Sequence, residues 1–347
     1  MKNLTFADVL IEPQFSLIKS RKDVSLYSNV GNLGLNLPII SAPMDTITGP
    51  QMAKALDKAG ASGCLHRFQS IEENVAEYKA SECNPIVSVG LNDWDRVEAL
   101  YHAGADRFLL DVAHGAQYQV VEWVAQFRHK YYNTWLMVGN FATGKQIQDF
   151  MSYTARVDAW RVGVGGGAAC TTRVKTGCGV PTLGSLLSIK EVNGMHGVKK
   201  IENVVADGGI KTPGDVAKAL AAGASAVMVG RMLAGTLETP GPIIEEAPLF
   251  GACSSNWVPK KWKSYRGSAS KESYEAQGKV QEYITAEGES YTVPYKGPVL
   301  STLQDVEGGL RSAFTYVGAS NLKQFQEKAV LFQITQNGYT EGTAHGK

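Results

Sequence analysis

The sequence predicts an α/β fold, a parallel (β/α)8 TIM barrel. Three observations carry the prediction: eight short β-branched or apolar runs, helical segments between them, and a nearly constant spacing. The runs are PIISAP from Pro38, SGCLHR from Ser62, PIVSVG from Pro85, FLLDVA from Phe108, WLMVGN from Trp135, AWRVGVG from Ala159, NVVADGG from Asn203 and AVMVGR from Ala226. Their starts lie about 22 to 27 residues apart, except for a gap of about 44 between the sixth and the seventh. That period holds one strand, one helix and two short loops, and eight such units close a barrel.

The helices agree. QMAKALDKAGA, DWDRVEALYHAGA and PGDVAKALAAGA carry apolar residues at helical spacing, and each ends on Ala-Gly, with glycine where a left-handed cap belongs. A doubly wound sheet would alternate in the same way, but it places a glycine-rich turn after its first strand, and PIISAPMDT is not one. After the eighth strand the rhythm breaks. Gly235 to about Ser301 is polar and rich in Lys, Ser, Gly and Tyr, and a final helical stretch begins near Thr302. The segment from about 236 to 300 therefore reads as a flap insertion in one barrel domain spanning 1–347, and the small polar residues from about 337 to 347 read as a disordered tail. Chemistry in such barrels sits at the C-terminal ends of the strands, so the active-site loop after strand six and the flap after strand eight lie on one face and can meet.

Composition narrows the function. With 34 basic against 33 acidic residues the net charge is +1, which gives no general field for nucleic acid or an anionic membrane, and a small-molecule ligand is expected. No apolar run reaches the roughly 20 residues that span a bilayer. The opening MKNLTFADVLIEPQ places acids where a signal peptide would be apolar. Five cysteines scattered through the chain suit a reducing compartment, so a cytoplasmic location is expected. Cys64, Cys83, Cys178 and Cys253 read as small buried hydrophobes.

Cys170 reads differently. It follows a glycine cluster in GVGGGAACTTR, on a loop at the catalytic end of strand six, beside hydroxyls and a guanidinium that favour the attacking thiolate. Glycine-rich turns after strands seven and eight, Gly208-Gly209 and Gly230-Arg231, form a phosphate signal in their own right. Unrelated barrels share that signal, so on it alone a phosphate-binding isomerase or a flavin enzyme ranks equally.

The Cys170 loop resembles the active-site loop of the family of IMP dehydrogenases and GMP reductases, whose usual form is GxGPGSxCTTR. FADVLIEP, SAPMDT, DVAHG, GNFAT, ADGGI, VMVGRMLAG and GGLRSAFTYVG match that family in order over most of the chain. The resemblance implies that Cys170 adds to C2 of a purine ring, with Thr172 as the neighbouring proton-transfer group and Glu287 as the flap glutamate facing the base. It implies that Asp207 holds the ribose hydroxyls and that Gly208, Gly209, Gly230 and Arg231 take the 5′-phosphate of a purine nucleoside monophosphate. Gly267, Ser268 and Ala269, in a segment that resembles the one contacting phosphate and base, and Ala286 and Gly288, flanking the glutamate, complete the implied substrate site. A nicotinamide cofactor would rest near Asp111, Val112 and Ala113, with Tyr283 on the flap. Ser20, Arg21, Ser312 and Thr315 match positions that reach its adenosine end from a neighbouring subunit, which implies a homotetramer. A monovalent cation, usually potassium, is implied at Gly165, Gly167, Cys170 and Arg173.

Within the family the flap discriminates. Only 16 residues separate Ser270 from Glu287, and they hold no Arg-Tyr pair of the kind that activates water in the dehydrogenase. About 20 residues join strands two and three, where dehydrogenases insert regulatory modules. The expected reaction is therefore NADPH-dependent reductive deamination of GMP, or a related purine nucleotide, to IMP and ammonia. The alternatives are IMP oxidation with NAD to XMP and a non-catalytic purine-binding barrel. SAPMDT and Ile284 lean towards the dehydrogenase. Ala168 replaces the usual loop serine, and Arg67 stands where a lysine often follows the histidine.

Overall fold

The computed structural model describes residues 3–153, 156–246, 259–276 and 285–342. Eight parallel strands form its centre: β1 (Ile39–Ser41), β2 (Cys64–Leu65), β3 (Ile86–Val89), β4 (Arg107–Asp111), β5 (Trp135–Phe141), β6 (Ala159–Val162), β7 (Val204–Asp207) and β8 (Ala226–Val229). Each pairs with its neighbour in chain order, and β8 pairs with β1 through Val227, Met228 and Val229 against Ile39, Ile40 and Ser41. The last seam, between β1 and β2, is held by the parallel bridge of Ile40 with Ser62. The ring is closed, so the barrel exposes no strand edge.

Each of the eight apolar runs read from the sequence coincides with one of these strands; six contain it whole, and the runs from Phe108 and Trp135 fall one residue short, at Arg107 and Phe141. Alternation along each strand divides the core in two. Ile40, Ile86, Leu109, Met137, Val205 and Met228 fill the barrel interior, while Ile39, Val87, Phe108, Leu110, Leu136 and Val138 pack outward against the helices. The helices are α1 (Pro50–Lys58), α2 (Ile71–Ala80), α3 (Trp94–His102), α4 (Tyr118–Lys130), α5 (Gly144–Met151), α6 (Thr182–Asn193), α7 (Pro213–Ala221) and α8 (Val299–Val317). The glycines expected to end α1, α3 and α7 take φ of +73° at Gly60, +104° at Gly104 and +105° at Gly223. A hairpin of Ser28–Val30 and Leu33–Leu35 plugs the N-terminal mouth, where Val30, Leu33 and Leu35 join the interior core and the Trp135 indole donates to the Val30 carbonyl at 2.7 Å.

The final helix α8 starts at Val299, three residues before the sequence suggests, because Pro298 supplies its N-cap. Among its described residues the flap holds a three-stranded antiparallel sheet in which Lys261–Arg266 pairs with Ile244–Glu245 on one side and with Ser290–Pro294 on the other, Tyr265 opposite Tyr291, and a short helix, Lys271–Ala276. The polar end, expected to be disordered from about 337, instead forms a helix over Gln336–Glu341, its first turn capped by the Thr335 hydroxyl. The preceding Leu331–Gln333 pairs with Val9–Ile11 and carries the segment onto the body. Residues 343–347 lie outside the described residues. No helix among the described residues is long and apolar enough to cross a membrane.

Candidate active site

A cavity of about 690 Å³ opens at the C-terminal ends of the strands, a volume suited to a nucleotide-sized ligand. Its wall brings together the loop after β6, the glycine turns after β7 and β8, the end of β4 and the inner edge of the flap.

Three side chains from two loops form a continuous chain of hydrogen bonds. The Cys170 thiol donates to Thr172 Oγ1 at 3.1 Å, and Thr172 Oγ1 donates to Glu287 Oε2 at 2.6 Å. The second contact is short, as a hydroxyl bonded to a carboxylate is. Cys170 and Thr172 lie two residues apart because a short helix, Thr172–Thr176, begins at once and turns both side chains to one side. Glu287 comes from the flap and is fixed by backbone. Thr171 N–H donates to the Glu287 carbonyl at 2.8 Å, Glu289 N–H to the Ala169 carbonyl at 2.9 Å, and Glu287 N–H to the Ala269 carbonyl at 3.0 Å. The β6 loop, the glutamate segment and Gly267–Ser270 are thus laced together. Gly288 lies at the crossing, where a Cβ would stand 2.9 Å from the Ser270 nitrogen. From the other side the flap is anchored by Arg266, whose Nε donates to Asp45 Oδ2 at 2.6 Å in the loop after β1. Together the relay gives a sulfur nucleophile a path for its proton.

Asp207, at the end of β7, lines the same cavity. Its Oδ2 accepts from Asn140 Nδ2 at 2.9 Å and from Arg161 Nε at 3.0 Å, while Oδ1 accepts from no donor among the described residues. Arg161 bridges further, with Nη1 2.5 Å from Asp111 Oδ1. Burial works against its charge, but the carboxylates of Asp207 and Asp111 outweigh it and hold the guanidinium pKa above its ordinary value. Asn140 reaches Asp207 because the β5–β6 register shifts between Gly139 and Phe141, which turns that side chain inward.

Most of the residues expected at the site line this cavity: Cys170, Thr172, Glu287, Asp207, the glycines Gly208, Gly209 and Gly230, Arg231, Gly267, Ser268, Ala269 and Gly288, with Asp111, Val112 and Ala113 on the opposite wall. Ala286 is adjacent without lining it, and Tyr283 falls outside the described residues. Ser20, Arg21, Ser312 and Thr315 do not line it. They sit together on an outer face, where α8 packs on the turn Arg21–Asp23 and Arg311 donates to the Arg21 carbonyl at 3.3 Å. Gly165 and Gly167 line the cavity, but the Arg173 side chain turns back to donate to the Val164 carbonyl at 3.0 Å and the Val180 carbonyl at 2.5 Å, bracing the two ends of the loop. Of the other cysteines, Cys64 is buried as expected, Cys83 is half-buried, Cys178 is exposed on the loop after the Thr172–Thr176 helix, and Cys253 lies outside the described residues. Sequence reasoning passed over Arg161 and Asn140. The signal for the first was a charge in the middle of the apolar run AWRVGVG.

The pattern of the IMP dehydrogenase / GMP reductase domain matches residues 3–345. The chain belongs to this family. It is 37% identical to a GMP reductase of Escherichia coli O81 (strain ED1a), covering 96% of this chain and 95% of that protein. It is 35% identical to GMP reductase 2 of Bos taurus, covering 96% and 94%. A solved structure of GMP reductase from Trypanosoma brucei in complex with guanosine 5′-monophosphate superimposes with a TM-score of 0.88 over 100% of this chain and 98% of that one, at 24% identity, and shares the fold.

Proposed function

We propose that this chain reductively deaminates GMP to IMP and ammonia through a covalent adduct on Cys170. The observation that supports this best is the Cys170–Thr172–Glu287 relay, set across a nucleotide-sized cavity from Asp207 in a chain so similar to GMP reductases. The thiol proton passes through Thr172 towards Glu287, and the thiolate adds to C2 of the purine. The 2-amino group takes up a proton along the same path and leaves as ammonia, so Glu287 ends in its starting state. NADPH, when bound, would supply the hydride that C2 needs; the C–S bond then breaks to release IMP, and the departing Cys170 thiolate takes up one proton from solvent, so each turnover consumes one proton. Asp207 Oδ1 accepts from the ribose hydroxyls. The backbone N–H groups of Gly208, Gly209 and Gly230, with Arg231, hold the 5′-phosphate. Gly267, Ser268, Ala269, Ala286 and Gly288 frame the base.

The wall of Asp111, Val112 and Ala113 fits a nicotinamide, since it lines the same cavity as the relay. Ser20, Arg21, Ser312 and Thr315 lie too far round to serve their own cavity, which fits a cofactor reached from a second copy in a homotetramer. The loop also fits a potassium ion. Among the described residues the carbonyls of Gly165 and Cys170 accept no hydrogen bond, and the Gly167 carbonyl accepts one, from Cys170 N–H at 3.0 Å. The Arg173 guanidinium, itself a cation, braces that loop from the Val164 and Val180 carbonyls. A reducing, cytoplasmic setting suits a catalytic thiol.

The test follows nicotinamide absorbance with GMP plus NADPH in one cuvette and IMP plus NAD in another, each with potassium. NADPH consumption matched by ammonia release is expected only in the first. XMP formation from IMP and NAD alone would overturn the reading. Cys170→Ala leaves the fold intact, because the exposed side chain fills no core volume, and abolishes turnover. Full activity in that variant would overturn the covalent step.

A further inference from the structure

A second cavity, of about 630 Å³, adjoins the first on the far side of Ala168. Lys211, Arg231 and Lys296 line it together with Tyr291, Thr302 and one acid, Asp305. Ala168, Lys211 and Arg231 line both cavities, so the two meet at the end where the glycine turns after β7 and β8 stand. At that junction Ala168 contributes only a methyl group, where the usual family pattern has serine.

None of the three cations has an acidic partner within 4 Å among the described residues. Two of them are also held in place. Arg231 Nη1 donates to Tyr291 Oη at 2.8 Å, and its guanidinium lies 5.2 Å from the Tyr291 ring centroid and 5.8 Å from that of Tyr265. The Lys296 ammonium donates to the Met232 carbonyl at 3.1 Å and also lies 3.5 Å from the Arg231 carbonyl. Burial, and then the charge of Arg231, lower the pKa of Lys296 from its ordinary value. Cations fixed near one another repel unless an anion joins them, and fixing them beforehand removes much of the ordering cost of binding that anion. Net positive charge, hydroxyl donors from Tyr291 and Thr302, and an opening onto the nucleotide's 5′ end describe a seat for phosphate.

We propose that the second cavity binds one further phosphoryl group, attached to the 5′-phosphate of the bound nucleotide, so that the site accepts purine nucleoside 5′-diphosphates as well as monophosphates. The inference rests on the reading of the glycine turns as the 5′-phosphate seat. Lys296 and Lys211 contact the added group, Arg231 spans the two phosphates, and Asp305 limits the affinity.

The test is calorimetric titration of the full chain with GMP, with GDP, and with inorganic pyrophosphate in the presence of saturating GMP. GDP is expected to bind about tenfold tighter than GMP, the scale of one or two charge-assisted hydrogen bonds at a partly exposed site. Lys296→Met removes about that tenfold for GDP and leaves GMP within about twofold, while Lys296→Arg retains the preference. Asp305→Asn shifts GDP the other way, by about threefold. GDP binding more weakly than GMP, or with an affinity that Lys296→Met does not change, overturns the proposal. So does pyrophosphate binding beside GMP with the same Lys296 dependence while GDP gains nothing, which would make the cavity a free-anion site. Failure of GMP itself to bind overturns the nucleotide reading along with it, whereas intact GMP binding and turnover without a GDP preference sinks only the second cavity.

Discussion

Arg161→Met tests whether a buried charge network organises the site. The guanidinium lies between Asp111 and Asp207, 2.5 Å from one carboxylate and 3.0 Å from the other, with its side chain 10% exposed. Methionine keeps much of the volume and removes the charge. Breaking a buried pair by deleting one partner costs about 3–5 kcal/mol. Two features place this case at the low end: the carboxylates are 16% and 19% exposed, and Asp207 keeps its bond from Asn140. The expected loss at pH 7 is therefore about 3 kcal/mol. Proton uptake sets a ceiling on it. Protonating an ordinary aspartate costs about 4 kcal/mol at pH 7 but only about 1.5 kcal/mol at pH 5, so a stranded carboxylate escapes cheaply in acid. The stability deficit of the variant should therefore shrink by about half or more between pH 7 and pH 5. Urea unfolding of both proteins at the two pH values measures it, and the KM for GMP should rise because Asp207 loses its brace. A deficit below about 1 kcal/mol at pH 7, or one that does not change with pH, would show that Arg161 does not hold the two carboxylates as charged groups.

Glu287→Gln leaves the flap backbone bonds in place but removes the carboxylate that accepts from Thr172, and kcat for NADPH oxidation should fall about 10²- to 10³-fold with little change in the KM for GMP; a fall of less than threefold excludes the relay. Gly288→Ala places a methyl carbon 2.9 Å from the Ser270 nitrogen, so turnover should drop at least about tenfold while the unfolding midpoint barely moves, because the flap crossing is strained and the barrel is not; unchanged kinetics would mean that the crossing is not needed for catalysis. Burial holds the His66 imidazole at a pKa of about 4, against the raising influence of Asp45 and with the lowering influence of Arg266 and Arg96. As pH falls through 6.5 the unfolded chain takes up that proton first, so stability is full above about pH 6.5 and declines by about 1.4 kcal/mol per unit towards pH 4, about 3 kcal/mol in all. In His66→Gln the acid decline should be shallower by that amount in urea midpoints compared at pH 7 and 4.5, and an equally steep decline would refute it.

The barrel was legible because its signal is periodic and redundant. Eight strands, each apolar on both faces, and helices closed by glycines such as Gly104 repeat one physical requirement, so a misread unit would be outvoted by its neighbours. The place of Cys170 at the cavity was legible because few structural reasons put a thiol after four loop glycines. Asn140 was not, since its inward turn comes from a register shift that no local residue pattern announces. Nor was the partner of Arg161. A charge inside an apolar strand signals a buried pair, but Asp111 and Asp207 come from β4 and β7 and meet only when the barrel closes. The helix Gln336–Glu341 was hidden because small polar residues look alike in a tail and in a short capped helix, and the strand that carries it onto the body pairs with residues more than 300 positions earlier.

The relay also joins distant parts of the chain, and this bears on how the chemistry is controlled. Thr172 and Glu287 are 115 residues apart in sequence and touch only because the flap lies across the β6 loop. Cys170 and Thr172 lie two residues apart on that loop, whereas Glu287 is supplied by the flap. The crossing is made of backbone hydrogen bonds to Ala169, Thr171 and Ala269. Interactions of that kind open at lower free energy than a packed core does. On the proposed mechanism, proton transfer at the sulfur would require the flap to be seated, since only there does Thr172 reach Glu287. For a thiol adduct that would lose ammonia and then receive hydride, a seated flap would keep the adduct from water between the two events.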